Sequence, residues 1–277
     1  MAEEASGGGQ AKASLQEERF MDWSALTSIS FAGTQMVIIV GVAVAVIVGW
    51  EVLARVTHTP TYVLPKPSEI AAALVNNFPS LWPHVLVTLK ELMIGYFIGA
   101  SIGIVLAAII TQIPFIEKIV TPYILILVTT PMMALVPLLI LKLGFGSAPR
   151  IIVVALAVGP MVMINSSTGF RRTDAAKLAL ARLYGATTFQ IFAKVRFPLA
   201  LPMIIVGLMV GGIFGLMTAV GAEMVGGGSG LGNRLQYYSS LARMDSFFSV
   251  MVFIGTIGIS LYVLFYFVGK KWASWEA

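Results

Sequence analysis

Long apolar runs, punctuated by short polar, glycine- or proline-containing breaks, set the pattern of this chain. A helix that crosses roughly 30 Å of hydrocarbon needs about 20 mostly apolar residues. Runs of that length predict spans over about 34–56, 85–111, 115–143, 151–169, 199–225 and 247–268. The third contains Pro122, Pro131 and Pro137. Each removes a backbone N–H and crowds the preceding turn, so this span is expected to be kinked or broken. Leu64-Pro65-Lys66-Pro67 lies in the stretch before the second span. Ahead of the first, residues 1–30 carry Gly7-Gly8-Gly9 and the acids Glu3, Glu4, Glu17, Glu18 and Asp22, with no apolar block like that of a signal peptide. That segment is expected to be a mobile tail. The expected fold is all-α: a polytopic membrane domain over 31–277 with about six transmembrane helices and a helical elbow over about 171–198.

Composition agrees. Of 277 residues 58% are hydrophobic and 11% charged, whereas a soluble domain carries roughly 25% charged residues. The mean hydropathy is +0.90. The chain therefore reads as an integral membrane protein with lipid as its solvent. The absence of cysteine excludes disulfides, cysteine-ligated metal sites and a catalytic thiol, and two histidines leave little for any other metal. His58 and His84 fall outside the predicted spans, which argues against an intramembrane enzyme. The net charge of +5 would suggest nucleic acid in a soluble chain. In a membrane chain it marks cytoplasmic loops, and no nucleic-acid partner is expected.

The densest basic cluster lies between spans four and five: Arg171, Arg172, Lys177, Arg182, Lys194 and Arg196 against Asp174. This loop is expected on the cytoplasmic side. Both termini then face inward, in keeping with Lys270-Lys271, and Trp272 and Trp275 fit an inner interfacial belt. The proline-containing stretch before span two and the glycine-rich turn after span five would face outward.

Within the basic loop, residues 174–202 read DAAKLALARLYGATTFQIFAKVRFPLALP. Leu178, Ala181 and Leu183-Tyr184 recur at helical spacing before Gly185. After it, Thr187 or Thr188 is placed to cap a helix presenting Phe189, Phe192 and Val195 on one face. Pro198 and Pro202 bracket the start of span five, where proline sacrifices no helical hydrogen bond. Residue types alone also allow a helical pair lying on the membrane surface.

The spacing resembles the cytoplasmic loop of importer-type ATP-binding-cassette permeases: Glu-Ala-Ala, three residues, Gly, nine residues, Ile-x-Leu-Pro. Here Gly185 is followed after nine residues by Val195-Arg196-Phe197-Pro198. Leu64-Pro65-Lys66-Pro67, the run from Pro131 to Leu139 leading into Gly144-Phe145-Gly146, and Ala222-Glu223 before Gly230-Leu231-Gly232 resemble the branch handling nitrate, bicarbonate, taurine and sulfonates. The resemblance implies a non-catalytic permease subunit of the bacterial-type inner membrane, paired with a second copy as a homodimer. Two ATPase subunits would bind the ATP and magnesium, an external binding protein would deliver the solute, and this chain would hold no cofactor.

It also implies that the ATPases couple through Lys177, Ala179, Arg182, Gly185, Phe189, Phe192, Lys194, Val195 and Pro198. The family's acidic position falls on Ala179, within Ala-Leu-Ala, so no ion pair forms there. Docking would rest on Arg182, Lys194 or Arg196 and on burial of Phe189 and Phe192, worth about 1.5–3 kcal/mol each. Glu91 stands where members often carry a basic residue, and Lys142 where they carry an aromatic one. No G-x-x-x-x-G-K-[ST] motif occurs, and the run Gly226-Gly227-Gly228-Ser229-Gly230-Leu231-Gly232 lacks its lysine and reads as a flexible external turn.

Thr129, Thr130, Pro131, Met132 and Met133 combine polarity with a helix break in mid-span, a pattern that either lines the solute path or forms a packed kink. Asn165, Ser166, Ser167 and Thr168 read as helix packing or a second polar patch. Glu223 either sits at the outer gate or bonds the glycine-rich turn. Lys142 either draws an anion inward or snorkels to headgroups. Met132, Met133, Met209 and Met217 suggest adaptable packing or a gate. Gly95, Gly99 and Gly103 read as close helix packing. A secondary carrier is the competing class, but it calls for repeats and mid-membrane acids that are nearly absent. The expected solute is a small organic or inorganic anion, with aromatic acids and vitamin precursors as alternatives.

Overall fold

A computed structural model describes residues 33–272. The tail expected over 1–30 and Trp275 lie outside the described residues. All regular structure among the described residues is helical. Five helices are long and apolar enough to cross a membrane, and a bent pair raises the number to as many as six.

The chain parts into two units between Leu53 and Ala54. The described part of the first belongs to α1, Gly33–Val56, which is apolar on every side and exposed from Met36 through Val48. Such a surface suits lipid and not water.

The second unit is built on α2 (Pro67–Gln112), α5 (Ser147–Arg171) and α8 (Phe197–Gly226). Between α2 and α5 lie α3 (Pro114–Thr129) and α4 (Met132–Leu143). The elbow consists of α6 (Ala175–Leu183) and α7 (Thr188–Ile191), followed by a π-helical turn over Phe192–Arg196. α9 (Leu231–Ser240) and α10 (Met244–Trp272) complete the chain.

The second span is longer than its apolar run. It has 46 residues, about 69 Å at 1.5 Å rise per residue, more than twice a hydrocarbon core. Pro67 opens the helix, where its missing N–H costs nothing. Glu69 accepts from the Lys66 backbone N–H at 3.1 Å and pairs with Lys66 Nζ at 2.8 Å. Leu81 of the extension, with Val85 at the start of the apolar run, packs with Leu231, Leu235, Tyr238 and Val250, contacts made with the other end of the sequence.

α5 is the central helix. Its Val153, Val154, Val158 and Val162 are fully buried. Gly99 and Gly103 of α2 bring its backbone against this helix: a Cβ on Gly99 would stand 2.5 Å from the Ala155 carbonyl oxygen, and one on Gly103 2.5 Å from that of Gly159. On the other side Gly211 of α8 seats against Val162 and Val158. The small-residue spacing on α2 therefore does the packing expected of it. Tyr96 bridges to α8 by donating its hydroxyl to the Leu208 carbonyl at 3.1 Å.

Candidate functional site

Arg150 lies in the first turns of α5 and Arg171 is its last residue, so α5 joins two polar regions at opposite ends of the unit. Between them, α3 and α4 leave a cavity.

The elbow at the Arg171 end begins with Asp174, whose Oδ1 accepts from the Ala176 N–H at 2.8 Å and caps α6. α6 stops at the glycine the spacing singled out: Gly185 has φ +74°, which a residue with a Cβ adopts at a cost. Thr187 then caps α7 in a capping box, its Oγ1 accepting from the Gln190 N–H at 3.3 Å while Gln190 Oε1 accepts from the Thr187 N–H at 2.8 Å. Beyond this point the structure differs from the expectation. Pro198 does stand in the first turn of α8 and Pro202 within it, but the chain does not break there; the helical path runs without interruption from Thr188 to Gly226. Pro198 has no N–H to donate, and the chain accommodates it by widening into the π turn, with the Phe197 N–H bonded to the Phe192 carbonyl. The second half of the elbow, α7, is thereby a direct extension of a transmembrane helix.

The side chains of the elbow separate into two groups. Phe189, Lys177, Ala179, Arg182, Gly185 and Lys194 are exposed, whereas Val195 and Pro198 are half-buried. Phe192 turns inward, its ring centroid 5.0 Å from that of Phe170 in a core cluster with Ile110 and Ile204. Of the two phenylalanines expected at the surface, Phe189 alone is presented there. It is accompanied by residues that sequence reasoning did not single out as contacts: Leu180, Leu183 and Tyr184 are 55%, 85% and 84% exposed, and Phe189 77%. Their signal was the apolar spacing within α6, which marks a hydrophobic face without saying whether this chain or another covers it. At the base, Arg171 pairs with Glu117 of α3 at 2.7 Å.

The cavity follows from the break in span three. Thr130 precedes a proline and takes extended backbone, φ −77° and ψ 126°. The two half-helices consequently diverge by 95°. The opening beside the break has a volume of about 250 Å³ and is walled by Met132, Met133, Met161, Met217 and Phe214. Among its described lining residues only Thr130 and Thr218 are polar, and none is charged. Of the predicted path residues, Thr130, Met132 and Met133 line it, while Thr129 and Pro131 do not. Thr130 donates to the Ile126 carbonyl at 2.6 Å and Thr129 to that of Leu125 at 2.9 Å, so both hydroxyl protons are spent on their own helix. Lys142 is exposed near the end of α4, outside this lining.

At the Arg150 end lies a buried polar knot. Glu91, fully buried, pairs with Arg150 at 3.1 Å. Arg150 also donates to the carbonyls of Gly146 at 3.1 Å and Ser229 at 2.7 Å. Glu223, equally buried, accepts from Thr88 Oγ1 at 3.0 Å and from the Gly232 N–H at 2.8 Å. Thr88 accepts from the Leu231 N–H at 2.9 Å, and His84 Nδ1 from that of Gly230 at 3.1 Å. The glycine-rich run expected to be a flexible turn is thus pinned at four successive residues, Ser229 through Gly232. A Cβ on Gly230 would overlap the Glu223 carboxylate, and one on Gly232 the Val220 carbonyl oxygen. Of the two alternatives for Glu223, the structure has it bonded to the turn. The role of Glu91 was not legible in sequence, because its partner lies on another helix.

Comparison with known proteins places this architecture. The family model for the binding-protein-dependent transport system inner membrane component matches residues 99–274. The chain belongs to that family: it is a membrane-embedded transport permease of the ATP-binding-cassette type, a class that works with ATPase and binding-protein partners. A protein of Haemophilus influenzae named as an ABC transporter permease is 29% identical over 81% of this chain and 91% of its own length. A riboflavin transport system permease of Chloroflexus aurantiacus is 27% identical over 83% and 87%. One named for aliphatic sulfonates transport in Escherichia coli is 28% identical over 84% and 89%. Among solved structures, the MetNI methionine ABC transporter in an inward-facing form has a chain that superposes with a TM-score of 0.55 at 20% identity, covering 73% of this chain and 94% of that one. That likeness concerns the fold.

Proposed function

We propose that the chain is the translocating subunit of an ATP-driven importer, working as a homodimer with two ATPase subunits and an external binding protein. The ATPases seat on the elbow, which lies on the cytoplasmic side together with both termini, and they hold the ATP and magnesium. The observation that carries this reading is the exposed apolar group formed by Leu180, Leu183 and Tyr184 at the end of α6 and by Phe189 across the Gly185 corner, the last on a helix continuous with α8. Burying large apolar side chains on a partner is worth about 1.5–3 kcal/mol each. This offsets a missing surface ion pair at Ala179 of about 0–1 kcal/mol. A rigid-body pull on the elbow is then transmitted along one helix to the residues beside the cavity, and the two end states differ in which side the path opens to.

The solute is a small organic anion. The sulfonate-named relative supports that class, and another relative is named for riboflavin, a larger organic solute. A bare inorganic ion such as nitrate or bicarbonate is less well served, since no charged side chain stands among the described lining residues of the cavity.

The test is co-purification of the ATPase subunit with the intact chain and with Phe189→Asp and Leu183→Asp, together with ATP hydrolysis in lipid. Release of the ATPase by both substitutions, from a permease that stays folded, is the expected result. Uptake that continues without any ATPase and follows an ion gradient would replace the importer by a carrier.

A further inference from the structure

The mid-span cavity narrows the class of solute; this step rests on the importer reading above. Met132, Met133, Met161 and Met217 surround the space together with Phe214. Thioethers are polarisable, flexible in three torsions, and favour the edges and faces of aromatic rings. Phe214 adds a ring that stacks or packs edge-on against another. Met217 and Met133 are 65% and 51% exposed in the single chain, so this chain leaves their thioethers uncovered at the cavity wall. The polar resources are small: the Thr130 proton already serves Ile126, which leaves acceptor lone pairs and the Thr218 hydroxyl. An anion placed among these groups would lose its hydration with no cation to replace it.

Size agrees with chemistry. Apolar protein cavities of about 150 Å³ stay dry and take up benzene; this one measures about 250 Å³.

We propose that the transported solute enters this cavity with an aromatic ring and keeps its charged group in water outside it, which makes the cargo an aromatic acid and neither a short aliphatic sulfonate nor a bare oxyanion. The ring displaces poorly held water from the thioether walls, while the acid group faces the open side.

The test uses the full chain in lipid nanodiscs and three probes, benzenesulfonate, methanesulfonate and nitrate, with binding measured at equilibrium. The first two share a headgroup and differ in the ring. Benzenesulfonate is expected to bind at least tenfold more tightly than either of the others. The pair Met132→Ala with Met217→Ala should weaken it at least fivefold and leave methanesulfonate unchanged. Met217→Leu, which keeps the volume and preserves folding if the pair does not, should weaken the ring probe about twofold. Equal affinities, tighter nitrate, no benzenesulfonate binding, or a cavity filled by side chains of a second copy would each overturn the inference. ATPase co-purification on the same preparation keeps the two readings apart. Loss of the ATPase with the ring preference intact removes the importer alone; a docked ATPase without ring preference removes the aromatic cargo alone.

Discussion

The two ends of α5 handle polarity in opposite ways. At the Arg150 end, Glu91, Arg150 and Glu223 are buried and answered by ion pairs or hydrogen bonds from several helices and from the glycine-rich turn. At the Arg171 end, apolar side chains stand exposed on a short capped elbow with no buried residue in α6. The first arrangement draws its partners from within this chain, although Glu223 Oε1 has no hydrogen-bond partner among the described residues and Glu91 relies on the Arg150 ion pair, so removing Arg150 strands Glu91. The second leaves its apolar side chains uncovered by the described residues of this chain. One end therefore ties several helices of this chain together, and the other presents apolar surface that this chain does not cover.

The sharpest way to break that contrast is Arg150→Ala. It leaves the Glu91 carboxylate buried without its cation, and losing one member of a buried pair costs about 3–5 kcal/mol. A sharply lowered thermal midpoint in lipid or detergent is expected. The double change Arg150→Met with Glu91→Leu should recover part of the loss, because it removes both charges. Full stability of the single variant would show that the knot does not hold the helices.

Gly99→Leu comes next. Its side chain would have to push α2 away from the Ala155 carbonyl, and overpacking of this kind costs about 1–3 kcal/mol. A thermal scan should show a smaller fall than for Arg150→Ala.

At the elbow the effects on stability shrink. Thr187→Ala removes the cap on Gln190 and costs about 1 kcal/mol, confined to α7. Hydrogen exchange should quicken around residues 188–191 while α5 remains protected. Phe189→Asp should change the thermal midpoint least of all, by less than about 0.5 kcal/mol in stability, since the ring is exposed. Its effect falls on ATPase retention. A large loss of fold stability from this substitution would erase the distinction between the ends.

Much of this was legible in the chain as written. Apolar runs placed the spans, the prolines of the third announced its break, and Gly185 with Thr187 marked the corner of the elbow. Each of these signals is local: hydrophobic length, a missing N–H, a positive φ and a side-chain cap act within a few residues. Where the reading departed from the structure, the cause lay at a distance. The helix from Pro67 extends well before the apolar run of span two because Leu81 meets α9 and α10. The glycine-rich turn is held instead of flexible because its donors find His84, Thr88 and Glu223.

The sequence by itself determined the membrane class, the helical composition and the position of the elbow, since backbone polar groups in hydrocarbon must be satisfied within helices whose lengths the apolar runs set. Tertiary structure alone decided that Glu91 belongs to Arg150, that Phe192 faces Phe170 while Phe189 faces outward, and that methionines from three helices enclose one cavity. Those choices depend on which faces meet across the bundle, and facing is a property of packed helices that no single helix carries in its own periodicity.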